Sequence, residues 1–585
     1  MCKLVNRIKL KKLYSYPEVF EPIIFHEGVN IILGEKYDSN TIKGRKTNGV
    51  GKSMSIEFLN FCLLKKYSES RVKNIPEDIL SNEVYIKLDI EIGKSSMTIS
   101  RKKSDEENIL INKGEESIKF ESLEDAKKYL SNLLYNDIRG MIVPSFREMI
   151  ALVIRDERSE FSNILKTTDI NRNIPVDYIM HLFLLNIQLD TYINAKKIIK
   201  QIDDVNKMLK KIKDELTNGN TRKMSDVKIE LNSLDDELKK MNNAIESFKT
   251  NETFEIFEKE LIEIEELLER LRRRQKALKY ELKKIDLLPQ PEKLNDEDIS
   301  MVYNEYKNGL GDYIVKSLDE TLEFKNKIES FQRILINERA IEIKSELNNL
   351  SNEIRKLDEE YSEKLNIIDK KGTLKNLKTG LKIFNEKQIQ FSKQKGFYNE
   401  YMKSEKEKKI LQFNKSEELI KLDSEIEEKQ NVIDSFLATI SQIHELIMGN
   451  KECSFDITTV NNNRSKQVVN IDLRTFDDGS HSVNRSKVFI YDMSLLFNEY
   501  TKKRHPGFLV HDNIFDVDQD TLIQSLNFLS NQEEKYTDFQ YILTLNRDKI
   551  ENEERAKAIK LDIEEHKVAT FTKKNKFLKK DYQEL

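Results

Sequence analysis

Hydrophobic residues recur through the middle of this 585-residue chain with a strict 4,3 spacing. Phe257, Leu261, Ile264, Leu268, Leu271, Gln275, Leu278, Leu282 and Ile285 follow it, with Glu, Arg or Lys at many of the positions between. A repeat of about 3.5 residues keeps one stripe of an α-helix apolar and predicts a coiled-coil seam. Ile343, Leu347, Leu350, Ile354, Leu357 and Tyr361 form a second run, and Leu419, Leu422, Ile426, Lys429, Ile433, Phe436, Ile440, Ile443 and Ile447 a third. Such seams invite antiparallel pairing. A fold-back with its apex near 287–330 gives arms on the order of 100 residues, about 150 Å long at the helical rise. The alternative is a compact helical bundle, because heptads specify pairing better than length.

Proline placement agrees with long helices. The eight prolines fall at 17, 22, 76, 144, 175, 289, 291 and 506, so two Pro-free tracts, 176–288 and 292–505, flank one Pro-Gln-Pro break. An interior proline costs a helix about 3 kcal/mol. Thr217-Asn218-Gly219-Asn220 and the glycines at 372, 380 and 396 mark expected interruptions. The flanks read differently. Val29–Leu33, Val84–Ile92 and Met97–Ser100 near the start, and Val468–Leu473, Phe508–Val510 and Tyr541–Leu545 near the end, are short β-rich runs beside amphipathic helical stretches. Neither flank has enough strands and helices for a comfortable α/β domain, whereas together they do.

Composition supports much solvated helix: 34% of residues are charged, 38% hydrophobic, and there is no Trp. The formal net charge of −4 gives no global basic signature, so contact with nucleic acid would rest on local clusters. Arg7–Lys12, Lys43–Lys46, Arg272-Arg273-Arg274 and Lys573–Lys580 are candidates, although such clusters are more often solvated faces. Cys2, Cys62 and Cys453 form no CxxC pair, so neither a disulfide framework nor a zinc site is read from them. No apolar h-region follows Met1, and no stretch approaches the roughly 18 uncharged apolar residues of a membrane span. A soluble cytoplasmic protein with no membrane contact is expected.

The candidate chemistry begins after Val29–Leu33, with Asn48-Gly49-Val50-Gly51-Lys52-Ser53. A Gly-rich turn opening a helix surrounds phosphates with backbone N–H groups, a Lys reaches their outer oxygens, and Ser or Thr holds Mg²⁺. Lys52 and Ser53 take those roles. The strict pattern wants Gly six residues before Lys52 and finds Lys46, and Glu35–Arg45 reads as an insertion. Far downstream, the apolar run Phe508-Leu509-Val510-His511 delivers Asp512 to a strand end, where a carboxylate binds Mg²⁺ directly or through water. The next residue is Asn513 rather than the usual Glu. An amide cannot act as general base, so either hydrolysis is slow or Asp516 or Asp518 substitutes, Asp516 being the candidate base.

With these residues the chain resembles the SMC-type ABC ATPases, and more closely the shorter SMC-like proteins of bacterial defence operons, of the Lamassu and ABC-three-component kind. Glu27-Gly28-Val29-Asn30-Ile31-Ile32-Leu33-Gly34, Ser145-Phe146-Arg147, His511-Asp512-Asn513-Ile514-Phe515-Asp516 and Ile542-Leu543-Thr544-Leu545-Asn546 carry the resemblance. It implies an α/β P-loop ATPase head of the ABC type assembled from residues 1–185 and 449–585, with a long antiparallel coiled-coil arm at 186–448 inserted between the halves.

The resemblance further implies a homodimer whose heads sandwich two ATP molecules with Mg²⁺ held by Ser53 and Asp512. Each nucleotide would meet the loop of one head and the signature segment of the other. That segment matches Gly479-Ser480-His481-Ser482-Val483-Asn484-Arg485, which lacks the usual Ser-Gly-Gly, leaving Ser482, Asn484 and Arg485 as donors to the γ-phosphate. Asp518 matches a dimer-facing residue, Asn546 stands where a switch histidine is usual, and Arg147 or Arg155 replaces a Mg²⁺-monitoring glutamine. With no cysteine pair at the apex, no zinc hook is expected. Implied partners are DNA, an effector such as a nuclease, and accessory subunits. The implied function is ATP binding and hydrolysis coupled to DNA sensing and effector control in defence. A DNA repair or recombination ATPase and a hydrolysis-poor, nucleotide-clamped scaffold are the alternatives.

Overall fold

The structure, a computed structural model, describes residues 5–38, 47–105, 107–138, 140–167, 176–219, 221–249, 258–287, 318–368, 373–462, 465–476, 479 and 481–580. It divides into two units, one of Met1–Lys196, Glu297–Glu320 and Glu417–Leu585, the other of Lys197–Asp296 and Thr321–Ser416.

The strands lie in the first unit. They are β1 (Ile8–Tyr16), β2 (Ile23–Ile24), β3 (Gly28–Gly34), β4 (Tyr85–Ile92), β5 (Ser95–Lys102), β6 (Ile109–Lys113), β7 (Glu116–Phe120), β8 (Ile154–Arg155), β9 (Cys453–Thr459), β10 (Val469–Thr475), β11 (Phe508–His511), β12 (Gln540–Asn546) and β13 (Lys567–Phe571). One sheet has the order β13-β3-β12-β11-β8 with every pair parallel. Its three central strands, β3, β12 and β11, are largely apolar runs rather than alternating ones, and every one of their residues is buried, as a parallel sheet covered on both faces requires. β3 and β8 come from the beginning of the chain, while β11, β12 and β13 come from its end and lie next to them. Gly34 pairs with Asn546 at the carboxyl edge, and His511 pairs with Arg155. Loops at that edge of an α/β sheet are where ligands bind.

A second, antiparallel sheet runs β2-β1-β4-β5-β6-β7. In β4, Tyr85-Ile86-Lys87-Leu88-Asp89-Ile90-Glu91-Ile92 alternates half-exposed and buried, so one face turns inward. The helix Lys52–Cys62 packs against β3, β4 and β5, and all its residues except Ser53 are buried. Its one internal acid, Glu57, accepts from Ser70 Oγ at 2.7 Å, Lys65 Nζ at 2.9 Å and the Arg71 N–H at 3.1 Å. β9 and β10 form a separate antiparallel ladder.

In the second unit the first two seams meet. Leu278, Ile343 and Leu350 form a buried cluster joined by Leu271, Leu282, Ile285 and Leu347. Arg272 pairs with Asp358, Gln275 with Ser351 and Arg339 with Glu281, so the helices Glu258–Leu287 and Leu318–Ile368 run antiparallel. Ile212, Leu216, Val227, Leu231 and Phe397 make a second cluster, drawn from the helices Leu189–Leu216, Met224–Lys249 and Thr373–Glu428.

Two sets of contacts bear on the expected arm. Lys283 meets Glu215 at 2.9 Å and lies 3.6 Å from the Phe397 ring centroid. In one hairpin with its apex at 287–330, the 68 residues between Glu215 and Lys283 would separate them by about 100 Å. The contact departs from a single uninterrupted hairpin; residues 288–317, most of the expected apex, lie outside the described residues. A heptad stripe fixes which side chains are buried, not how many partners bury them. The third run, in turn, belongs to the first unit. Phe436 of the helix Gln430–Met448 contacts the Phe455 and Tyr491 rings, so its stripe faces a globular core rather than an arm.

Candidate nucleotide-binding site

Thr47 to Gly51 turn the chain into the helix Lys52–Cys62. Gly49 and Gly51 have φ of 65° and 105°, a left-handed backbone that only glycine adopts without strain. Gly51 is also where the last part of the chain closes in: a Cβ there would stand 2.5 Å from Cβ of Phe577, whose N–H donates to the Val50 carbonyl at 3.1 Å. No acidic residue occupies the first helical turn and no side chain caps it, so its N–H groups and dipole favour an anion.

Lys52 is buried at the edge of β3, where Gly34 leaves it room; a Cβ at Gly34 would lie 2.7 Å from the Lys52 Nζ. Lys52 Nζ donates to Thr47 O at 3.1 Å and to Asn546 Oδ1 at 2.6 Å, and the Asn546 amide donates to Asn48 Oδ1 at 2.9 Å. Burial pulls the Lys52 pKa below its ordinary value, against the opposing fields of Asp512, Asp548 and Glu157. A desolvated ammonium held in place is ready for a phosphate.

Asp512 follows β11 and is 1% exposed. Thr544 Oγ1 donates to its Oδ1 at 2.8 Å, and the Ser53 hydroxyl is also bonded to its carboxylate. Burial raises its pKa to about 6, with Glu157 and Asp156 adding to the rise and the Ser53 and Thr544 hydrogen bonds opposing it. Beside it lies a cavity of about 230 Å³ whose lining includes Ser53, Glu57, Asp156, Glu157 and Asp512. A hydroxyl joined to a buried carboxylate, at a helix N-terminus, is a hard oxygen pair that suits Mg²⁺. Among the described residues no group of three or more His, Cys, Asp or Glu side chains is placed to hold a metal. The cation would therefore share Ser53 and Asp512 with nucleotide phosphates and water, as Mg²⁺ usually does.

Asn513 has φ of 64° and is held on three sides. Its N–H donates to Thr544 Oγ1 at 2.8 Å, its carbonyl accepts from Arg485 at 2.6 Å, and its amide donates to Glu157 Oε1 at 3.1 Å. Of the expected signature segment, Ser480 lies outside the described residues, and the helix His481–Phe497 carries Ser482, Asn484 and Arg485 in its first turns. Ser482 Oγ donates to Asp518 Oδ2 at 3.1 Å, and Asp518 caps the helix Gln519–Lys535 by accepting from the Thr521 N–H at 3.0 Å. These contacts tie the start of the helix His481–Phe497 to the turn after β11 within one chain.

Other expected residues are placed elsewhere. Asp516 accepts from Lys549 Nζ at 2.7 Å, which lowers its pKa, and does not line the cavity. Arg147 donates to Asn60 Oδ1 at 3.0 Å and the Leu63 carbonyl at 2.8 Å. Arg155 is fully buried, bonded to both oxygens of Asp492 and to the carbonyls of Asn163, Ile164 and Lys166. It is therefore a structural ion, not a monitor of Mg²⁺. Thr544, Asp156 and Glu157 were missed. The acids had no signal of their own in the sequence: the apolar stretch before them belongs to the helix Phe146–Val153, and the strand that delivers them, β8, is only Ile154–Arg155.

Residues 7–251 match the family described as AAA domain, and residues 442–582 match the family described as an uncharacterised protein conserved in bacteria (DUF2326). No curated protein matches the chain. Solved structures similar to it include two Smc head domains. The Smc head domain with a coiled coil and joint from Pyrococcus yayanosii shares 12% identity, with 92% of each chain covered and a TM-score of 0.31. The Smc head domain with an extended coiled coil bound to the C-terminal domain of ScpA from Pyrococcus furiosus shares 9% identity, covering 93% of this chain and 90% of that one, with a TM-score of 0.31.

Proposed function

We propose that this chain is an SMC-like ATPase that binds ATP and Mg²⁺ between two dimerised heads and couples binding and hydrolysis to DNA sensing and control of a partner effector in bacterial defence. One observation carries the nucleotide reading: Lys52 and Ser53 from one end of the chain and Asp512 and Asn546 from the other meet at one sheet edge. The AAA-domain match of residues 7–251 supports it. Bound Mg²⁺ would neutralise charge on the β- and γ-phosphates. Lys52 and the N–H groups of Gly49 to Ser53 bind and orient those phosphates, and the buried Asp512 keeps the Ser53 hydroxyl in place.

The homodimer, DNA, effector nuclease and defence parts of the proposal rest on the resemblance of the sequence lines given above. The basic clusters add little: Arg7, Lys9 and Lys11 pair with Asp538, Glu27 and Glu91, and Arg272, Arg273 and Arg274 with Asp358, Glu269 and Glu346. Among the described residues no helix is long and apolar enough to cross a membrane, which is compatible with a cytoplasmic site of action. Asn513 favours a second reading, a nucleotide-clamped scaffold that turns over poorly.

Purified full-length protein, assayed for ATP binding and for turnover with and without linear and circular DNA, separates the two. Tight binding with DNA-stimulated turnover, both lost in Lys52→Ala, supports the motor. Tight binding without turnover supports the clamp, and unchanged binding in Lys52→Ala overturns both.

A further inference from the structure

We propose that Glu157 is the general base of this site, supplying from the neighbouring strand the carboxylate that position 513 lacks. The inference rests on the ATPase reading above. β8 and β11 are parallel neighbours with Ile154 opposite Val510 and Arg155 opposite His511, and the Asp512 N–H donates to the Arg155 carbonyl at 3.0 Å. Asp156 and Asp512 are thus the first residues past the two strand ends, and Glu157 and Asn513 the second. The side chains of the second pair touch, the Asn513 amide donating to Glu157 Oε1 at 3.1 Å. An acid one strand across in register takes the place of the acid that would follow Asp512.

The other carboxylates at or near the cavity have partners within the fold. Asp512 is bonded to Ser53 and Thr544, and Glu57 to Ser70, Lys65 and the Arg71 N–H. Asp156 accepts from the Arg158 N–H at 3.1 Å, capping the short turn Glu157–Ser159 that holds Glu157 in place. Asp516 is held by Lys549. Of the carboxylates that line the cavity, Glu157 is the exposed one; among the described residues its side chain accepts one hydrogen bond, from Asn513, which leaves carboxylate lone pairs for a water. Asn513, fixed at both its backbone groups, acts as the orienting partner that aims this carboxylate.

In the reaction, Glu157 takes a proton from the water as the water oxygen bonds to the γ-phosphorus. The bond from that phosphorus to the bridging oxygen breaks, its electron pair staying on the β-phosphate of departing ADP. Glu157 then returns the proton to the released phosphate or to solvent.

The test uses full-length protein, a fluorescent ATP analogue for affinity and phosphate release for turnover. Glu157→Gln is expected to bind ATP within about twofold of the unaltered protein and to turn over on the order of 100-fold more slowly. Adding Asn513→Glu in that background is expected to recover at least about tenfold, since the acid returns to the same spot. Turnover of Glu157→Gln within about threefold of the unaltered protein overturns the inference. So does loss of ATP affinity in Glu157→Gln, which would make the residue structural, and so does tight binding by the unaltered protein with no turnover. A failure of Lys52→Ala to weaken binding overturns the nucleotide reading itself.

Discussion

Lys52 and Asn546, 494 residues apart, are joined by a 2.6 Å hydrogen bond from the buried ammonium to the amide oxygen. The same amide holds Asn48 through its nitrogen, so a single side chain at the end of β12 sets both the lysine and the first residue of the phosphate loop.

Replacing Asn546 with Leu removes both bonds while keeping a side chain branched at the same carbon. Hydrogen bonds to a charged group contribute roughly 1.5–3 kcal/mol, so ATP affinity is expected to fall about tenfold or more. Titration with a fluorescent ATP analogue measures this; affinity unchanged in Asn546→Leu would show that the lysine finds its place unaided.

Gly51→Ala combines a forbidden φ of 105° with a Cβ placed 2.5 Å from Cβ of Phe577. Strain at such a position costs roughly 1–3 kcal/mol, and relief would shift the phosphate loop or Phe577. A lowered Tm together with lost ATP binding is expected. Gly140→Ala is the control, because Gly140 also has positive φ but nothing lies within 4 Å of its Cβ; it should leave ATP binding intact.

Asp492 sits at the junction of three elements: it accepts from Arg155 of β8 and contacts His511 of β11 at 2.9 Å, from its own helix His481–Phe497. Burial opposes its charge, yet Arg155 and His511 together hold its pKa below the ordinary value. Asp492→Asn would strand a guanidinium that is 0% exposed. Breaking one partner from a buried pair costs about 3–5 kcal/mol. Thermal unfolding should show a large drop in Tm, and the double change Arg155→Leu, Asp492→Leu should recover part of it. If the single change leaves Tm within a degree, the pair is not holding the strands.

Acid should loosen the first unit. Burial, reinforced by a nearby guanidinium, lowers the pKa of His181 and of His505 to about 3. The unfolded chain takes up these protons from the ordinary value of 6.5 downward, while the native protein resists until near 3. Between those limits the unfolded state binds more protons, so stability falls as pH falls, by about 1.4 kcal/mol per pH unit for each histidine. Denaturant midpoints at pH 7.5, 6 and 5 test the slope. His181→Gln should shift the midpoint less between pH 7.5 and 5 than the unaltered protein does.

The central strands and the phosphate loop of the first unit were readable because their signals are local. Val29–Leu33 is apolar without alternation, which marks a strand covered on both faces, and the glycines at 49 and 51 announce the left-handed turn before Lys52. Asp512 was readable as the end of an apolar run. Glu157 was not, because β8 has only two residues, too few for any period to show, and its acid is defined by register against a strand about 350 residues later. The helices of the second unit were legible as helices, and their seams do meet at Leu278 and Ile343. Their arrangement was not, since Lys283 beside Glu215 depends on turns that a heptad stripe does not encode.

The interleaving of β3 with β12 and β13 also governs how this protein is made. β3 leaves the ribosome with its sheet partners about 500 residues away, and at roughly 5–20 residues per second it waits about 25–100 s for them. Throughout that interval an apolar strand stands with both edges unsatisfied while the helical segments emerge and pair among themselves. Slowed translation or scarce chaperones should therefore lower the yield of this chain chiefly by aggregation of nascent molecules, before any nucleotide pocket exists to be tested.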